Sequence, residues 1–180
     1  MGANDAILIR DAVLFGADAV VTAEVLANVI FKGEYDLVIC GTESTDARMS
    51  VVPAMMSEKL GCAQLTFASK VTVDPGAKKV SITRVTEAGV DEVHGEFPCV
   101  ISVVEKINEP RYPSFKGIMA AKKKTIDIRD FASTGAEFTK SWSAVIDAAP
   151  RPPRATGVVV TDDGSAGQKL VDFLSEKKLI

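Results

Sequence analysis

The residues with the clearest chemical potential form one polar loop, Gly41–Val52, which reads GTESTDARMSVV and directly follows an apolar strand. Gly41 allows a sharp turn out of the strand, and Ser50 is a candidate N-cap for a helix beginning at Val51. Ligands of open α/β sheets bind at the carboxyl ends of strands, where helix N-termini attract phosphate. Asp46 could orient a loop amide or a ribose hydroxyl. Because the glycine spacing of a P-loop or a Rossmann fingerprint is missing, an ordinary polar loop fits equally well.

A second candidate, Glu105–Lys124, is called the basic segment here because it carries six Lys or Arg against two Glu. Pro110 and Pro113 stiffen it, and Ser114 can cap the following turn. A loop would expose Phe115 at its tip. The pattern favours a docking surface in which an apolar anchor enters a partner's pocket while the surrounding charges steer the encounter. A solvated helix end with the Phe115 ring folded inward fits the same residues.

Composition excludes several kinds of chemistry. The net charge of −3 and the lack of an aromatic ladder argue against a nucleic-acid partner. Cys40, Cys62 and Cys99 form no CxxC pair and have apolar neighbours, which is typical of structural thiols, and the single imidazole, His94, lies in an alternating strand pattern. We therefore expect no metal site and no thiol chemistry. One histidine would be enough for a Ser/His/Asp triad, but a strand-surface side chain is the favoured interpretation of His94. No apolar run is long enough to span a membrane, and the first residues do not resemble a signal peptide.

The chain has 180 residues, which suit one compact domain. In its first third, the predicted strands and helices that must position these two segments alternate. The predicted elements are a buried strand Ala6–Ile9, a helix Asp18–Phe31 capped by Asp18 and closed by Gly33, a strand Leu37–Cys40, a helix Val51–Leu60 ending at Gly61, and a strand Ala63–Phe67. Leu37–Cys40 is apolar on both faces, as central parallel strands are. This order predicts an α/β fold with a parallel sheet.

The pattern then changes to period two, which predicts an antiparallel extension. The later predicted elements are strands Lys70–Val73, Val80–Val85 and Val90–Val93, a buried strand Cys99–Val104, a helix Ile118–Lys124, a short strand Ile126–Ile128, a proline-rich connector Ala149–Arg154 and an amphipathic helix Gln168–Lys177. We predict an α/β domain of the nucleotide-binding type over residues 1–148. Residues 149–180 are predicted to form a linker and a helix that docks on a partner.

Residues Asn108–Lys124, NEPRYPSFKGIMAAKKK, resemble the recognition loop of electron transfer flavoprotein beta subunits, which would extend over about Val103–Thr125. MGANDAILIRD near the start, GTESTD followed by a helix and QLTF, and a proline-rich linker before a final EKKLI agree in the same order. The sequence looks closest to actinobacterial members. Since the family has MGA-x-x-AI well inside its sequence, the chain resembles a beta subunit that lacks its N-terminal part, which would leave an open sheet edge.

The resemblance implies a Rossmann-like α/β fold of the adenine-nucleotide hydrolase-like type, in a heterodimer with a larger alpha subunit. That alpha subunit would hold most of the FAD, while this chain would bind AMP, or a second FAD as electron-bifurcating relatives do. The pair would carry electrons from acyl-CoA and related dehydrogenases toward a membrane quinone oxidoreductase, in the bacterial cytoplasm. This chain would then be an electron-carrier subunit without catalytic residues of its own.

By the same resemblance, the nucleotide-binding residues are Gly41, Thr42, Asp46, Arg48, Ser50, Val51 and Val52. The Gln and Thr side chains found in many members are absent, which leaves backbone amides and Ser50 for a phosphate, with added charge from Arg48. The partner-docking residues are Asn108, Glu109, Pro110, Arg111, Tyr112, Phe115, Ile118, Met119, Lys122 and Lys123, with Phe115 as the anchor. Two other functions stay open: a stand-alone module that senses or uses ATP, and a truncated copy that binds neither nucleotide nor partner.

Overall fold

Two helices follow the first strands, much as the local sequence predicts, in a computed structural model that describes residues 2–137, 140–154 and 157–180. Helix α1 (Ala19–Lys32) begins after Asp18, whose carboxylate accepts hydrogen bonds from the Val20 and Val21 amides at 3.0 Å. Helix α2 (Val52–Leu60) ends at Gly61, whose left-handed φ of 62° is favoured only by glycine. The two helices pack against each other. Both predicted helices are therefore confirmed to within about one residue at each end.

The main sheet has five strands in the order β2-β6-β3-β4-β5. Their bounds are Leu37–Gly41 for β2, Ala63–Asp74 for β3, Lys79–Thr86 for β4, Gly89–Glu96 for β5 and Cys99–Val103 for β6. Strands β2, β6 and β3 are parallel, while β4 and β5 add an antiparallel ribbon. The predicted α/β class, with a Rossmann-like parallel core and an antiparallel extension, is confirmed.

The core lies on the sheet and is formed by Leu65, Ala68, Val80, Ile82, Cys99 and Ile101. The antiparallel ribbon comes close to the parallel part at Gly95 of β5. A Cβ atom at that position would stand 2.8 Å from Cδ1 of Leu65, so a larger residue would force the buried Leu65 side chain to shift. The period-two pattern of the sequence thus predicts the ribbon, and the glycine lets it close over the core.

Three strand predictions are wrong in placement. Strand β2 lies at an edge of the main sheet rather than at its centre, and Ile39 is 62% exposed there. Strand β1 (Ile7–Ile9) is half-exposed rather than buried, and it pairs with β7 (Asp127–Arg129) in a separate two-stranded parallel sheet. An apolar run indicates that a strand prefers burial, but it does not indicate how many other strands pair with it. The predicted strands Ala63–Phe67 and Lys70–Val73 are one continuous strand, β3.

The remaining elements are short. Helix α3 (Phe115–Lys122) begins three residues before its predicted start, a 3₁₀ turn covers Ala12–Leu14, and a four-residue helix α4 covers Phe131–Thr134. Contacts divide the chain between Val145 and Ile146 into two units. The described residues of the second unit, 146–154 and 157–180, contain one helix, α5 (Ala166–Glu176). Within the described ranges, no helix combines the length and apolar character needed to cross a membrane.

Two aspartates hold the later part of the first unit against its beginning. Asp11 accepts the Val13 amide with one oxygen and the Phe131 amide with the other, at 3.1 and 3.0 Å. Asp18 caps α1 with one oxygen, and its other oxygen accepts the amides of Trp142 and Ser143 at 2.6 and 3.2 Å. These amide donors, led by Val13 for Asp11, lower the pKa of its carboxyl group. The Val21 amide, followed by those of Trp142 and Ser143, lowers the pKa of Asp18.

The Asp18 contact predicts an acid-dependent release of Trp142, the single tryptophan of the chain. Because the folded-state pKa of Asp18 is depressed, its stabilising effect is complete above the unfolded value of about 3.9 and is lost as the pH falls through the folded value. We expect the fluorescence anisotropy of Trp142 to decrease in that acidic range. Asp18→Asn, which keeps a capping oxygen but loses the charge, should lower the anisotropy at neutral pH. Asp11→Asn is the control, and an Asp18→Asn protein with unchanged anisotropy would contradict this contact.

Candidate functional site

Both candidate segments leave the sheet at the same edge. Strand β2 ends at Gly41 and β6 ends at Val103, and these two residues are paired in the parallel register. The hydroxyl group of Thr42 donates a hydrogen bond to the Val103 carbonyl at 2.7 Å. Since the carboxyl ends of neighbouring parallel strands share an edge, the 41–52 loop and the basic segment start side by side. Thr42 is one of the residues predicted to bind nucleotide, but its hydroxyl proton is donated to the Val103 carbonyl and links the first residues of the two segments.

Within the 41–52 loop, the Asp46 carboxylate is engaged by its own loop. The Ser44 hydroxyl first, and then the Ala47 amide at 2.7 Å, donate to this carboxylate and lower the pKa of Asp46. Arg48 and Ser50 both have left-handed backbones, with φ values of 50° and 59°. Residues other than glycine avoid this region, so the loop has a specific and costly conformation. Asp46 thus shapes the loop, and the Arg48 side chain is exposed beside it.

The prediction that Ser50 caps α2 is wrong. The N-cap is Val51, which gives no side-chain hydrogen bond, and the Ser50 hydroxyl lies 3.5 Å from Oε2 of Glu43 instead. Ser50 stands one position before the N-cap and has a left-handed backbone, and its hydroxyl is directed to Glu43 rather than to the first turn. The first turn of α2, which includes Pro53, therefore receives no side-chain cap. Its amides and the positive end of the helix dipole face this edge of the sheet.

The basic segment begins with two ordered hydrogen bonds and then projects from the sheet. The Val104 amide donates to the Ala68 carbonyl at 3.0 Å, and the Ile107 amide donates to the Val104 carbonyl at 3.1 Å. Farther along, Tyr112 is 98% exposed and Phe115 is 80% exposed. All ten residues predicted to dock a partner are exposed. The segment therefore presents its aromatic and basic side chains to solvent.

Phe115 is the first residue of α3 rather than the tip of a loop. Ser114 caps this helix as predicted, since its hydroxyl oxygen accepts the Gly117 amide at 3.1 Å. The helix fixes the direction in which the Phe115 ring leaves the backbone. Ile118 and Met119, in the next turn, are 40% and 42% exposed. Phe115 is thus largely exposed, and Ile118 and Met119 are partly exposed.

Lys124 makes hydrogen bonds to the start of the chain, unlike Lys122 and Lys123, and the sequence does not predict this difference. Its ammonium group donates to the Asn4 carbonyl at 2.7 Å and also to the carbonyl of Ala3. Lys124 therefore joins the end of the basic segment to the residues before β1. The local sequence KKK gives no signal that would separate these three side chains.

Phe67 is a second residue at this edge that the sequence does not reveal. It lies in a bulge of β3 with a left-handed φ of 61°, and it is 39% exposed. Burial raises the pKa of the three thiols, Cys40, Cys62 and Cys99, which keeps them protonated. His94 is exposed on β5, as predicted.

The fold and this edge define a Rossmann-like α/β domain with a projecting basic segment that carries aromatic side chains. A family model described as electron transfer flavoprotein domain matches residues 1–134. The chain belongs to the electron transfer flavoprotein family, and the resemblance to its beta subunits is confirmed. A relative named electron transfer flavoprotein subunit beta, from Mycobacterium tuberculosis, is 41% identical over 186 residues, which cover 100% of this chain and 69% of the relative.

Two further relatives carry the same name. The protein from Mycobacterium leprae is 40% identical and is covered to 69% of its length, with all of this chain aligned. The protein from Megasphaera elsdenii is 31% identical over 98% of this chain and 69% of its own length. The higher identity to the mycobacterial proteins agrees with the expected likeness to actinobacterial members.

The position of Ser50 predicts an unusual response to substitution. Ser50→Gly removes a left-handed serine without removing a helix cap, so we expect the free energy of unfolding to rise by about 0.5 kcal/mol. Urea denaturation of the two proteins measures this difference. Asp18→Ala is the control, since it removes a cap that does form and should lower the stability. A decrease for Ser50→Gly similar to that of the control would show that Ser50 caps α2 after all.

Proposed function

We propose that this chain is the beta subunit of a heterodimeric electron transfer flavoprotein of the bacterial cytoplasm. In this proposal it works with a larger alpha subunit and carries electrons from acyl-CoA and related dehydrogenases toward a membrane quinone oxidoreductase. Family membership supports the role of electron carrier. The observation that carries the finer proposal is the exposure of the basic segment, whose aromatic and basic side chains make few contacts with the rest of the described chain.

The basic segment suits transient docking of a dehydrogenase. Burial of the Phe115 ring in a partner's pocket would contribute about 2 kcal/mol. Arg111 precedes this anchor in the loop, Lys122 and Lys123 follow it at the end of α3, and these charges would steer an acidic partner surface toward the segment. Pro110 limits the backbone freedom of the loop, so less conformational entropy is lost on binding. An anchor of this size gives specificity while still allowing rapid release.

Flavin supplies the redox chemistry of such a complex when it is bound, and we propose that the alpha subunit holds most of it. In this proposal, the residues of this chain bind and orient the partner proteins and do not carry electrons themselves. The three thiols stay protonated because burial raises their pKa, so they do not compete as redox groups. In the second unit, Leu170, Val171 and Phe173 on α5 are each about half-exposed. We propose that this helix docks on the alpha subunit through these side chains.

We propose that the 41–52 loop and the first turn of α2 bind AMP. The donors fit a phosphate group, because the first turn has amides without a side-chain cap and Arg48 adds a positive charge. The rest of the predicted set consists of Gly41, Thr42, Asp46, Ser50, Val51 and Val52. Glu43 opposes this fit, since its carboxylate lies 3.5 Å from the Ser50 hydroxyl and would repel a phosphate. The expected affinity depends on the balance between the positive charge of Arg48 and the negative charges of Glu43 and Asp46.

The AMP proposal is tested by changing the charges of Arg48 and Glu43 in opposite directions. Arg48→Ala should weaken AMP binding about threefold, and Glu43→Gln should strengthen it by a similar factor, in isothermal titration calorimetry. Adenosine, which lacks the phosphate, should respond to neither change. Lys78→Ala is the matched control, since Lys78 is also basic and left-handed, with φ of 53°, but lies in the β3–β4 turn. Equal AMP affinities for all four proteins would refute a phosphate site here.

The docking proposal is tested by Phe115→Ala in the complex with the alpha subunit. We expect the second-order rate of reduction by an acyl-CoA dehydrogenase to fall by up to about thirtyfold, the kinetic equivalent of the lost burial. The flavin midpoint potential should not change. Phe31→Ala is the matched control, because the Phe31 ring is 74% exposed at the end of α1, outside the basic segment. If Phe115→Ala accepts electrons at the normal rate, the anchor is elsewhere.

A further inference from the structure

We propose that Phe67 is a positioning residue: its left-handed backbone, within the bulge of β3, fixes the point at which the basic segment leaves the sheet. This inference rests on the proposed docking role of that segment. The ring of Phe67 is not the active part. The relevant feature is the extra residue that the bulge inserts between two paired positions.

The register of β3 against β6 shows the insertion. Leu65 pairs with Ile101, and the next pair is Ala68 with Val103, so three steps along β3 match two steps along β6. Phe67 lies within this bulge and is the left-handed residue of β3. Bulges of this kind shift a ladder by one residue and redirect the chain near functional edges. The strand after the bulge is therefore aligned differently from the strand before it.

We call residues 103–107, which lead out of the sheet, the stem of the basic segment. The shift determines which carbonyl accepts the Val104 amide of this stem. Ala68 stands opposite Val103, and its carbonyl accepts the Val104 amide at 3.0 Å. In an unbulged ladder, Phe67 would take the place of Ala68 beside Val103. From the other side of β6, the Thr42 hydroxyl donates to the Val103 carbonyl at 2.7 Å. Two consecutive residues before the basic segment are thus held from both neighbouring strands.

The amide that the bulge removes from the ladder has a dedicated partner. The Phe67 amide donates to the hydroxyl oxygen of Ser102 at 2.9 Å, and Ser102 is only 2% exposed. A buried hydroxyl that accepts this amide stabilises the bulge in one conformation. The Phe67 ring, 39% exposed, lies outside the buried core cluster. Packing of the ring therefore does not explain why a phenylalanine keeps a left-handed backbone, whereas positioning of the stem does.

The test compares Phe67→Gly with Phe67→Val in the full chain. Both variants remove the ring, but glycine accepts a left-handed φ freely, whereas the β-branched side chain of valine opposes it more strongly than phenylalanine does. We expect site-resolved hydrogen exchange at the Val104 and Ile107 amides to stay within twofold of the parent in Phe67→Gly. In Phe67→Val the same amides should exchange at least about fivefold faster, while exchange at Ile82 stays unchanged.

Lys78→Gly and Lys78→Val form the matched control pair, because Lys78 is also left-handed but lies at the far end of the ribbon. They should not alter exchange at Val104. Equal exchange in the two Phe67 variants, or acceleration spread over all amides of Phe67→Val, would overturn the proposal. If Phe67→Val does not fold, Phe67→Asn decides instead: asparagine tolerates this region without the ring, so unchanged exchange at Val104 and Ile107 is expected, and faster exchange there would overturn the proposal. No dehydrogenase is needed, so a failure of the docking role is detected separately.

Discussion

The parallel pairing of β6 on both sides is the constraint on which the rest of the structure depends. Val100 and Ile101 of β6 are completely buried, and the strand is hydrogen-bonded to β2 on one side and to β3 on the other. Because all three strands run in the same direction, β2 and β6 end together at one edge, and β3 passes this edge at its bulge before it continues to Asp74. The 41–52 loop, the basic segment and the bulge at Phe67 are neighbours for this reason alone. A change in the pairing of β6 would separate all three.

Local sequence predicts the parts of this fold that depend on local chemistry. Asp18 and Ser114 cap their helices because a short oxygen-bearing side chain can satisfy free amides within three residues, and Gly61 ends α2 by adopting a left-handed backbone. The edge position of β2 is different, since it depends on how many strands pair with it. An apolar pattern contains the preference for burial but no count of neighbours, which is why Leu37–Cys40 predicts a central strand.

The candidate site likewise has features that the local sequence predicts and features that it does not predict. The exposure of Phe115 follows from prolines and charges close to it in sequence, and those could be read directly. Ser50 looks like a cap by residue type, but its left-handed backbone, set by the loop around it, moves its hydroxyl toward Glu43. Phe67 has no local signature at all, because aromatic residues are ordinary in strands and the bulge exists only relative to β6. Backbone conformation imposed by tertiary pairing is the information that the sequence pattern lacks.

The distribution of charge on the surface also depends both on local sequence and on long-range contacts. The chain is acidic overall, with a net charge of −3, yet its basic residues gather in the segment that projects from β6. Lys124 is withdrawn from that surface by the Asn4 carbonyl, which leaves Lys122 and Lys123 at its rim. In the proposed docking role, such a small and locally positive surface favours fast encounter over tight binding.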